Sequence, residues 1–236
     1  MTEQGISKMF YDCLLIQNFD KKMTNKILII ISNLVTLNEN IEFFISLGIL
    51  PVLIKLLNEN VNTNGELPIE IMHNVFFILS NMAAGEQSHV KALTNSGILR
   101  HVLHTLKFHD TKKDMRDEAL RLFKNLFENQ ATDQETYLEL MKIKVLKLAI
   151  DCLKNTGDID SIINSLKLIE YYLNTYMSLF QDIATLNMEF LSYFGQYNFN
   201  SLMYSNNEEI AKLATSINNF FESANTDPDA IVIDED

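Results

Sequence analysis

Apolar residues recur three and four positions apart in five separate segments of this chain. Such spacing places them on one stripe of an α-helix, because a helix completes a turn about every 3.6 residues. Each helix is therefore predicted to bury one side and expose the other. The segments start 48, 44, 46 and 49 residues after one another: ILIIISNLV (27–35), VFFILSNMA (75–83), ALRLFKNLF (119–127), SLKLIEYYL (165–173) and ATSINNFFE (214–222).

A second pattern marks junctions between helices. FFISLGILPVLIKLL contains Gly48 and ALTNSGILRHVLHTL contains Gly97, and Ile-Leu follows each glycine. Glycine just beyond a helix end accepts the left-handed backbone that terminates the helix, so one helix is predicted to end there and another to begin. The equivalent later positions are Lys144 and Asn187. Asparagine tolerates this conformation, whereas lysine does so poorly, so the third junction is expected to be built differently.

A period in the forties with two or three helices per unit is typical of armadillo and HEAT solenoids, in which stacked units share one core. The predicted fold class is all-α: an armadillo-repeat, right-handed superhelical solenoid of about five repeats over residues 1–223. An acidic tail follows and is predicted to be disordered. The predicted boundaries are 5–47, 48–96, 97–142, 143–186 and 187–223 for the repeats and 224–236 for the tail.

Composition agrees with a helical chain and narrows its function. The 236 residues include 7 Gly and 3 Pro, too few for the turns of a large sheet protein or for a glycine-rich phosphate loop. The formal net charge of −12 disfavours broad nucleic-acid binding and suits a basic partner, although it serves solubility equally well. No secretory signal or bilayer-spanning run is evident. We therefore expect a protein of the cytoplasm and nucleus with no membrane or nucleic-acid partner.

Catalytic and metal-binding patterns are weak along the chain. His101 and His104 lie three residues apart on a predicted helix, with His109 nearby, but no cysteine or acidic ligand is close in sequence. Zinc sites normally combine several such ligands. The carboxylates are scattered over separate repeats, and no Ser–His or Cys–His pairing has supporting context. We predict no enzymatic activity, no cofactor and no metal site.

The order of the repeats resembles one family. SNLVTLNENIEFFISLGILPVLIKLL and SNMAAGEQSHVKALTNSGILRHVLHTL are similar to the C-terminal armadillo repeats of importin α, the receptor for nuclear localisation signals. MEFLSYFGQYNFNSLMYSNNEEIAKLATSINNFFES resembles the atypical last repeat of that family, which an acidic tail follows. By this alignment the chain corresponds to the sixth through tenth repeats. The basic importin-β-binding segment and the first repeats of the family have no counterpart in it.

The resemblance implies a concave groove lined by the third helix of each repeat. In the family a Trp and an Asn lie four residues apart there: the Asn pairs with the backbone of an extended peptide, and the Trp holds Lys or Arg. The matching residues are Asn33, Asn81 and Asn125 at the asparagine position, Ile29, Phe77 and Arg121 at the tryptophan position, and Glu118 at an acidic position that would pair with a basic side chain.

Alternative roles stay open at these positions. The asparagines contact a peptide, or they bond the backbone of the neighbouring repeat and support the stack. Phe77 faces the groove or packs in the core. Arg121 occupies a slot that the family uses for a ligand cation, and it faces a ligand there or neutralises Glu118 internally.

The resemblance predicts an adaptor of nuclear protein import. Its partners would be basic nuclear-localisation-signal peptides or cargo proteins, bound at a minor-type site on the first three repeats, and the export receptor, bound through the last repeat. The alternative is a generic armadillo protein–protein interaction scaffold that no longer reads basic signals. Residues 5–19 also form a predicted helix whose apolar side chains a preceding repeat would cover, so self-association through the first repeat is expected.

Overall fold

A computed structural model of the chain describes residues 3–16, 20–60, 66–108, 113–129, 132–194 and 199–225. All regular secondary structure within these ranges is helical, as the apolar periodicity predicts. The helices are α1 (Glu3–Leu14), α2 (Lys21–Leu34), α3 (Asn38–Ser46), α4 (Ile49–Asn60), α5 (Glu66–Ala83), α6 (Gln87–Asn95), α7 (Ile98–Phe108), α8 (Lys113–Glu128), α9 (Gln134–Lys142), α10 (Val145–Lys154), α11 (Ile159–Phe180), α12 (Ile183–Phe194), α13 (Asn200–Met203) and α14 (Glu208–Asn225).

The helices follow one another in a repeating order. The pair α1 and α2 precedes four triplets, and each triplet ends in a long helix: α5, α8, α11 or α14. The five apolar segments of the sequence map onto α2 and these four long helices, with only Val35 falling just beyond the end of α2. Within the described residues, no single helix is both long and apolar enough to cross a bilayer. The helices α3 and α4 reach that length only as a pair, which is bent by 77°.

Three junctions between short helices contain a left-handed residue. Gly48 has a φ of 85° between α3 and α4, and Gly97 has a φ of 73° between α6 and α7. Lys144 has a φ of 64° between α9 and α10, so the prediction of a different third junction is wrong. The left-handed backbone costs a lysine about 1–2 kcal/mol. Full burial of Leu140 and Val145 on either side holds it in place.

The fourth junction lies before the position that the sequence suggests. The helix α11 ends at Phe180, and the next residue, Gln181, is left-handed with a φ of 55° and donates its backbone N–H to the Met177 carbonyl. A carboxylate oxygen of Asp182 then accepts a 3.0 Å hydrogen bond from the Thr185 N–H and caps the start of α12. Because this cap begins the helix early, α12 runs through Asn187. The predicted helix end at Asn187 is wrong.

The chain forms two compact units, of which the first is Met1–Val145. In this unit the long helices α2, α5 and α8 lie side by side, and α5 packs against both of the others. Equivalent positions of the long helices are buried in the same way: Ile71 and Ile78 of α5 are fully buried, and so are Met115 and Leu122 of α8. This stack positions the candidate site.

The second unit is Leu146–Asp236. Within it α11 packs against α14, α12 contacts both, and the short α13 packs on α14. Aromatic rings fill part of its interior, with the rings of Phe190 and Phe194 4.4 Å apart between centroids and those of Phe190 and Phe221 4.5 Å apart. Ala224 and Asn225, the first two residues of the acidic tail predicted for 224–236, belong to α14, and the rest of that tail lies outside the described residues.

The first repeat exposes apolar side chains at positions that are buried in the next repeat. Met23 and Ile30 of α2 lie 48 residues before Ile71 and Ile78 of α5 and share their register. Ile71 and Ile78 are 1% and 0% exposed, whereas Met23 and Ile30 are 46% and 36% exposed. Met9 of α1 is also exposed. We call Met9, Met23 and Ile30 the first-repeat flank.

Candidate functional site

The candidate residues selected from the sequence lie on three neighbouring helices of the first unit. None of them is buried. The helices that carry them are in contact, α2 with α5 and α5 with α8. We call the surface that they share the third-helix face. Its residues are Ile29 and Asn33 on α2, Phe77 and Asn81 on α5, and Glu118, Arg121 and Asn125 on α8.

Two of the asparagines connect consecutive repeats. The Asn81 side-chain amide donates a 3.1 Å hydrogen bond to the Ser32 carbonyl oxygen of α2. In the same way, the Asn125 amide donates to the Ser80 carbonyl oxygen of α5 at 3.0 Å. Each serine directly precedes the asparagine of its own helix, so the two bonds occupy the same register. The structural role left open by the sequence is therefore present at Asn81 and Asn125, and peptide contact at these positions stays a prediction.

Asn33 differs from the other two because it belongs to the first repeat. Its side chain is exposed, and within the described residues its amide has no hydrogen-bond partner. At Asn81 the observed bond occupies one of the two amide N–H groups, whereas the Asn125 amide also donates to Oγ of Ser80 at 3.4 Å. These bonds do not use the side-chain oxygen of either amide. The third-helix face thus carries three amides in one register, two of them oriented by the preceding helix.

These bonds lead to a prediction about stability. Asn81→Ala and Asn125→Ala should each lower the free energy of unfolding by about 1 kcal/mol, because each change removes a bond to a backbone carbonyl of the preceding helix. Asn33→Ala should change it by less than about 0.5 kcal/mol, as expected of an exposed side chain. Urea denaturation followed by circular dichroism measures all three. Equal losses for the three variants would contradict the structural role of Asn81 and Asn125.

Arg121 is held by two partners on the same face. Its guanidinium carbon lies 4.5 Å from the centroid of the Phe77 ring. Its Nη2 and Nε atoms lie 2.8 and 3.1 Å from Oε2 of Glu118, one turn earlier on α8. Of the alternatives for Arg121, internal neutralisation of Glu118 is the arrangement found. Phe77 is half-buried and supports the guanidinium with its ring face.

The environment of Glu118 is unfavourable to a charge. Burial raises the pKa of the Glu118 carboxyl, while electrostatic interactions with Arg121 and with His73 lower this pKa and only partly offset the effect of burial. The negative charge of Asp117 nearby also raises this pKa. A carboxyl whose pKa is raised on folding makes the fold less stable as the pH rises through the interval above its ordinary value. Arg121 limits this penalty because it stabilises the carboxylate form.

A second polar cluster crosses from α2 to α5 and was not selected from the sequence. The Asn25 amide donates to Oε2 of Glu70 at 2.6 Å, and the Asn74 amide donates to the side-chain Oδ1 of Asn25 at 2.6 Å. The spacing along α5 is the signal that could have found it. Asn74 lies three residues before Phe77 and Glu70 lies four before Asn74, which places all three on one helix face.

Of the histidines considered for metal binding, His101 contacts an asparagine. Nδ1 of His101 lies 3.0 Å from the side-chain oxygen of Asn58, and His109 lies outside the described residues. In the part of the chain that the structure describes, no group of three or more His, Cys, Asp and Glu side chains is arranged to hold a metal ion.

Similarity searches relate the chain to solved structures. The sequence matches no protein-family model, and no curated protein resembles it closely enough to count as a match. A designed armadillo repeat protein superposes with a TM-score of 0.70 at 20% sequence identity, over 92% of this chain and 82% of its own. An engineered protein superposes with a TM-score of 0.69 at 16% identity, over 93% of this chain and 80% of its own.

A third similar structure contains a ligand. It is a designed armadillo repeat protein in complex with the peptide (KR)4, with a TM-score of 0.66 and 17% identity over 92% of this chain and 81% of its own. Identities this low establish the fold alone, and they do not support membership of the importin α family. The all-helical architecture and these structural neighbours confirm the predicted fold class: the chain adopts the armadillo-repeat fold.

Proposed function

We propose that this chain is a non-enzymatic protein-interaction scaffold that binds an extended segment of a partner protein along its third-helix face. The observation that carries the proposal is the register of Asn33, Asn81 and Asn125, which repeats once per helix across α2, α5 and α8. The bonds from Asn81 and Asn125 to the preceding helix support it further, because they orient two of the amides before any ligand arrives.

The spacing of the amides suits an extended ligand. Packed helices lie about 8–10 Å apart, and an extended chain advances about 3.3 Å per residue, so one amide would meet every second or third ligand residue. Each amide could accept a ligand N–H at its side-chain oxygen, and Asn33 and Asn81 could also donate an N–H group to a ligand carbonyl. Such contacts to the ligand backbone fix the path of the ligand and depend little on the sequence of the ligand. Side chains at Ile29 and at Phe77 with Arg121 would then supply specificity.

A second candidate is the import adaptor that the resemblance to importin α implies. It would read basic localisation signals on the third-helix face, contact the export receptor through its last repeat and work in the cytoplasm and nucleus. The asparagine register and the acidic Glu118 favour this candidate. The positive charge of Arg121 at a tryptophan position disfavours it, so we place the general scaffold first.

The test is a selection of random peptides against the full chain, followed by fluorescence anisotropy of the selected peptides. Asn33→Ala should weaken their binding about fivefold, the effect of losing roughly 1 kcal/mol of polar contact, with unchanged thermal unfolding. Asn95→Ala is the matched control, because Asn95 is also exposed but lies on α6, away from the face. If both variants bind the selected peptides as tightly as the wild type, the proposed site is wrong.

The composition of the selected peptides separates the two candidates. Enrichment of Lys and Arg would favour the import adaptor, since such residues define a basic signal. Selection of peptides that bind in an Asn33-dependent manner without such enrichment would favour the general scaffold.

We propose further that two copies of the chain associate through the first-repeat flank. In the next repeat the residues of the same register, Ile71 and Ile78, are buried on α5, which packs against α2. Covering apolar surface contributes about 25 cal/mol per Å². A second copy that covered the exposed Met23 and Ile30 would therefore stabilise the pair by burying their apolar surface.

Sedimentation velocity at several protein concentrations tests this association. The wild type should show a concentration-dependent sedimentation coefficient, and the double variant Met23→Lys/Ile30→Lys should sediment as a monomer. Ile159→Lys is the control, because Ile159 is also an exposed isoleucine, but it lies at the start of α11. A wild type that is monomeric at every concentration, with α1 and α2 amides as protected from hydrogen exchange as those of α5, would contradict the proposal.

A further inference from the structure

Phe77 and Glu118 together provide the two groups that a cation-binding site needs. An aromatic ring face attracts a cation through its quadrupole, and a carboxylate beside it supplies the opposite charge and a hydrogen-bond acceptor. The two side chains come from neighbouring helices, α5 and α8, and both lie on the third-helix face. Arg121 already occupies the site, 4.5 Å from the ring centroid and 2.8 Å from the carboxylate.

The burial of these groups makes the arrangement more than a surface contact. The Glu118 side chain is 16% exposed and the Arg121 side chain 36% exposed. Water therefore screens the pair less than it screens the chain's exposed ion pairs, such as the one between Arg100 and Glu139. If the guanidinium were removed, a half-buried carboxylate would be left without the partner that favours its charged form.

A ligand cation at this point would be repelled by positive charges of the chain itself. It would approach the guanidinium of Arg121, and one turn further along α8 lies Lys124, whose ammonium pairs with Glu128 at 3.2 Å. To reach the Phe77 ring and the Glu118 carboxylate, the ligand would have to displace Arg121 from both. The displaced guanidinium would then lie beside a like charge.

We infer that Phe77 and Glu118 form a cation-binding site that the chain fills with its own Arg121, so that the third-helix face rejects Lys and Arg side chains at this point. The rejection of Lys and Arg rests on the proposed function, because it concerns a partner segment bound to the third-helix face. A partner segment would pass Arg121 with an uncharged side chain. Arg121 is thus a specificity-determining residue of the face.

The site itself is tested without any peptide. Arg121→Ala opens the space between Phe77 and Glu118, and methylguanidinium has the charge and shape of the group that was removed. The midpoint of thermal unfolding of this variant should rise with methylguanidinium and saturate, while that of the wild type should show no saturable rise. The neutral analogue N-methylurea should not raise the unfolding midpoint of Arg121→Ala. Methylguanidinium should not raise the midpoint of the double variant Arg121→Ala/Glu118→Gln or that of Arg100→Ala. A saturable response in Arg100→Ala, or none in Arg121→Ala, would overturn the inference.

The effect on ligand choice is tested with a short peptide of alternating Lys and Arg. Fluorescence anisotropy should show that Arg121→Ala binds it roughly tenfold more tightly than the wild type, since a like charge is lost and a ring and carboxylate become accessible. Equal affinity would overturn the rejection of cations while leaving the proposed function intact. If methylguanidinium stabilises the variant but neither protein binds this peptide or any selected peptide, the cation site stands and the proposed function fails.

Discussion

Replacing Phe76 with alanine should lower the free energy of unfolding by about 3–5 kcal/mol, the cost typical of a large cavity in a packed core. Phe76 is fully buried in α5, and α5 packs against both α2 and α8. A cavity there loosens the layer that carries the middle of the third-helix face. Folded proteins are stable by only about 5–15 kcal/mol, so the loss would be a large share of the total. Urea denaturation monitored by circular dichroism measures it.

The adjacent Phe77 provides the control for this prediction. Its side chain is half-buried on the third-helix face and contacts Arg121, so Phe77→Ala should cost only about 1 kcal/mol, chiefly the cation–π contact. The two variants remove the same ring from neighbouring positions of one helix. If Phe77→Ala were as destabilising as Phe76→Ala, the assignment of Phe76 to the core and Phe77 to the surface would be wrong.

Gly85→Ala should lower the free energy of unfolding by about 1–3 kcal/mol, as overpacking commonly does. An added Cβ at Gly85 would lie 2.5 Å from Nδ1 of His89 and 3.2 Å from the Met82 carbonyl oxygen. His89 cannot easily move away, because its Nδ1 accepts a 3.0 Å hydrogen bond from the Glu86 N–H and so completes the cap of α6. Thermal or urea unfolding of the variant measures the loss.

Gly157→Ala is the control for Gly85→Ala, because the added methyl group has room at Gly157. A Cβ at Gly157 meets no atom within 4 Å, so the change should be neutral or should stabilise the protein by up to about 1 kcal/mol through the lower entropy of the unfolded chain. A Gly85→Ala variant as stable as Gly157→Ala would show that the turn between α5 and α6 has more room than the structure indicates.

The long helices and two of the junctions were predictable because each depends on local chemistry. The apolar stripe places a helix wherever one face must be buried, and it located α2, α5, α8, α11 and α14. Gly48 and Gly97 were recognisable as junctions because glycine adopts positive φ without strain. Lys144 was not, since lysine rarely adopts a left-handed backbone and the burial of Leu140 and Val145 that holds it there follows from tertiary packing.

The candidate site was predictable in its register but not in its contacts. A spacing of four residues places Phe77 and Asn81 on one face of α5 whatever surrounds them. The bond from Asn81 to Ser32 and the contact of Arg121 with the Phe77 ring depend in addition on how far apart the helices lie and on which rotamers they permit. The pairing of Arg121 with Glu118 forms within α8. The sequence therefore left two roles open for Arg121. The structure places its guanidinium beside Glu118 and over the Phe77 ring, and contact with a ligand stays a prediction.

The most direct test of the account is to map a selected peptide onto the full chain through its side-chain amide signals. In ¹H–¹⁵N spectra, adding the peptide should shift the side-chain amides of Asn33, Asn81 and Asn125 together, because one extended ligand would cross all three helices. The Asn95 amide on α6 should not shift. Shifts confined to residues outside α2, α5 and α8, with the three asparagine amides unchanged, would contradict the claim that the third-helix face binds the partner.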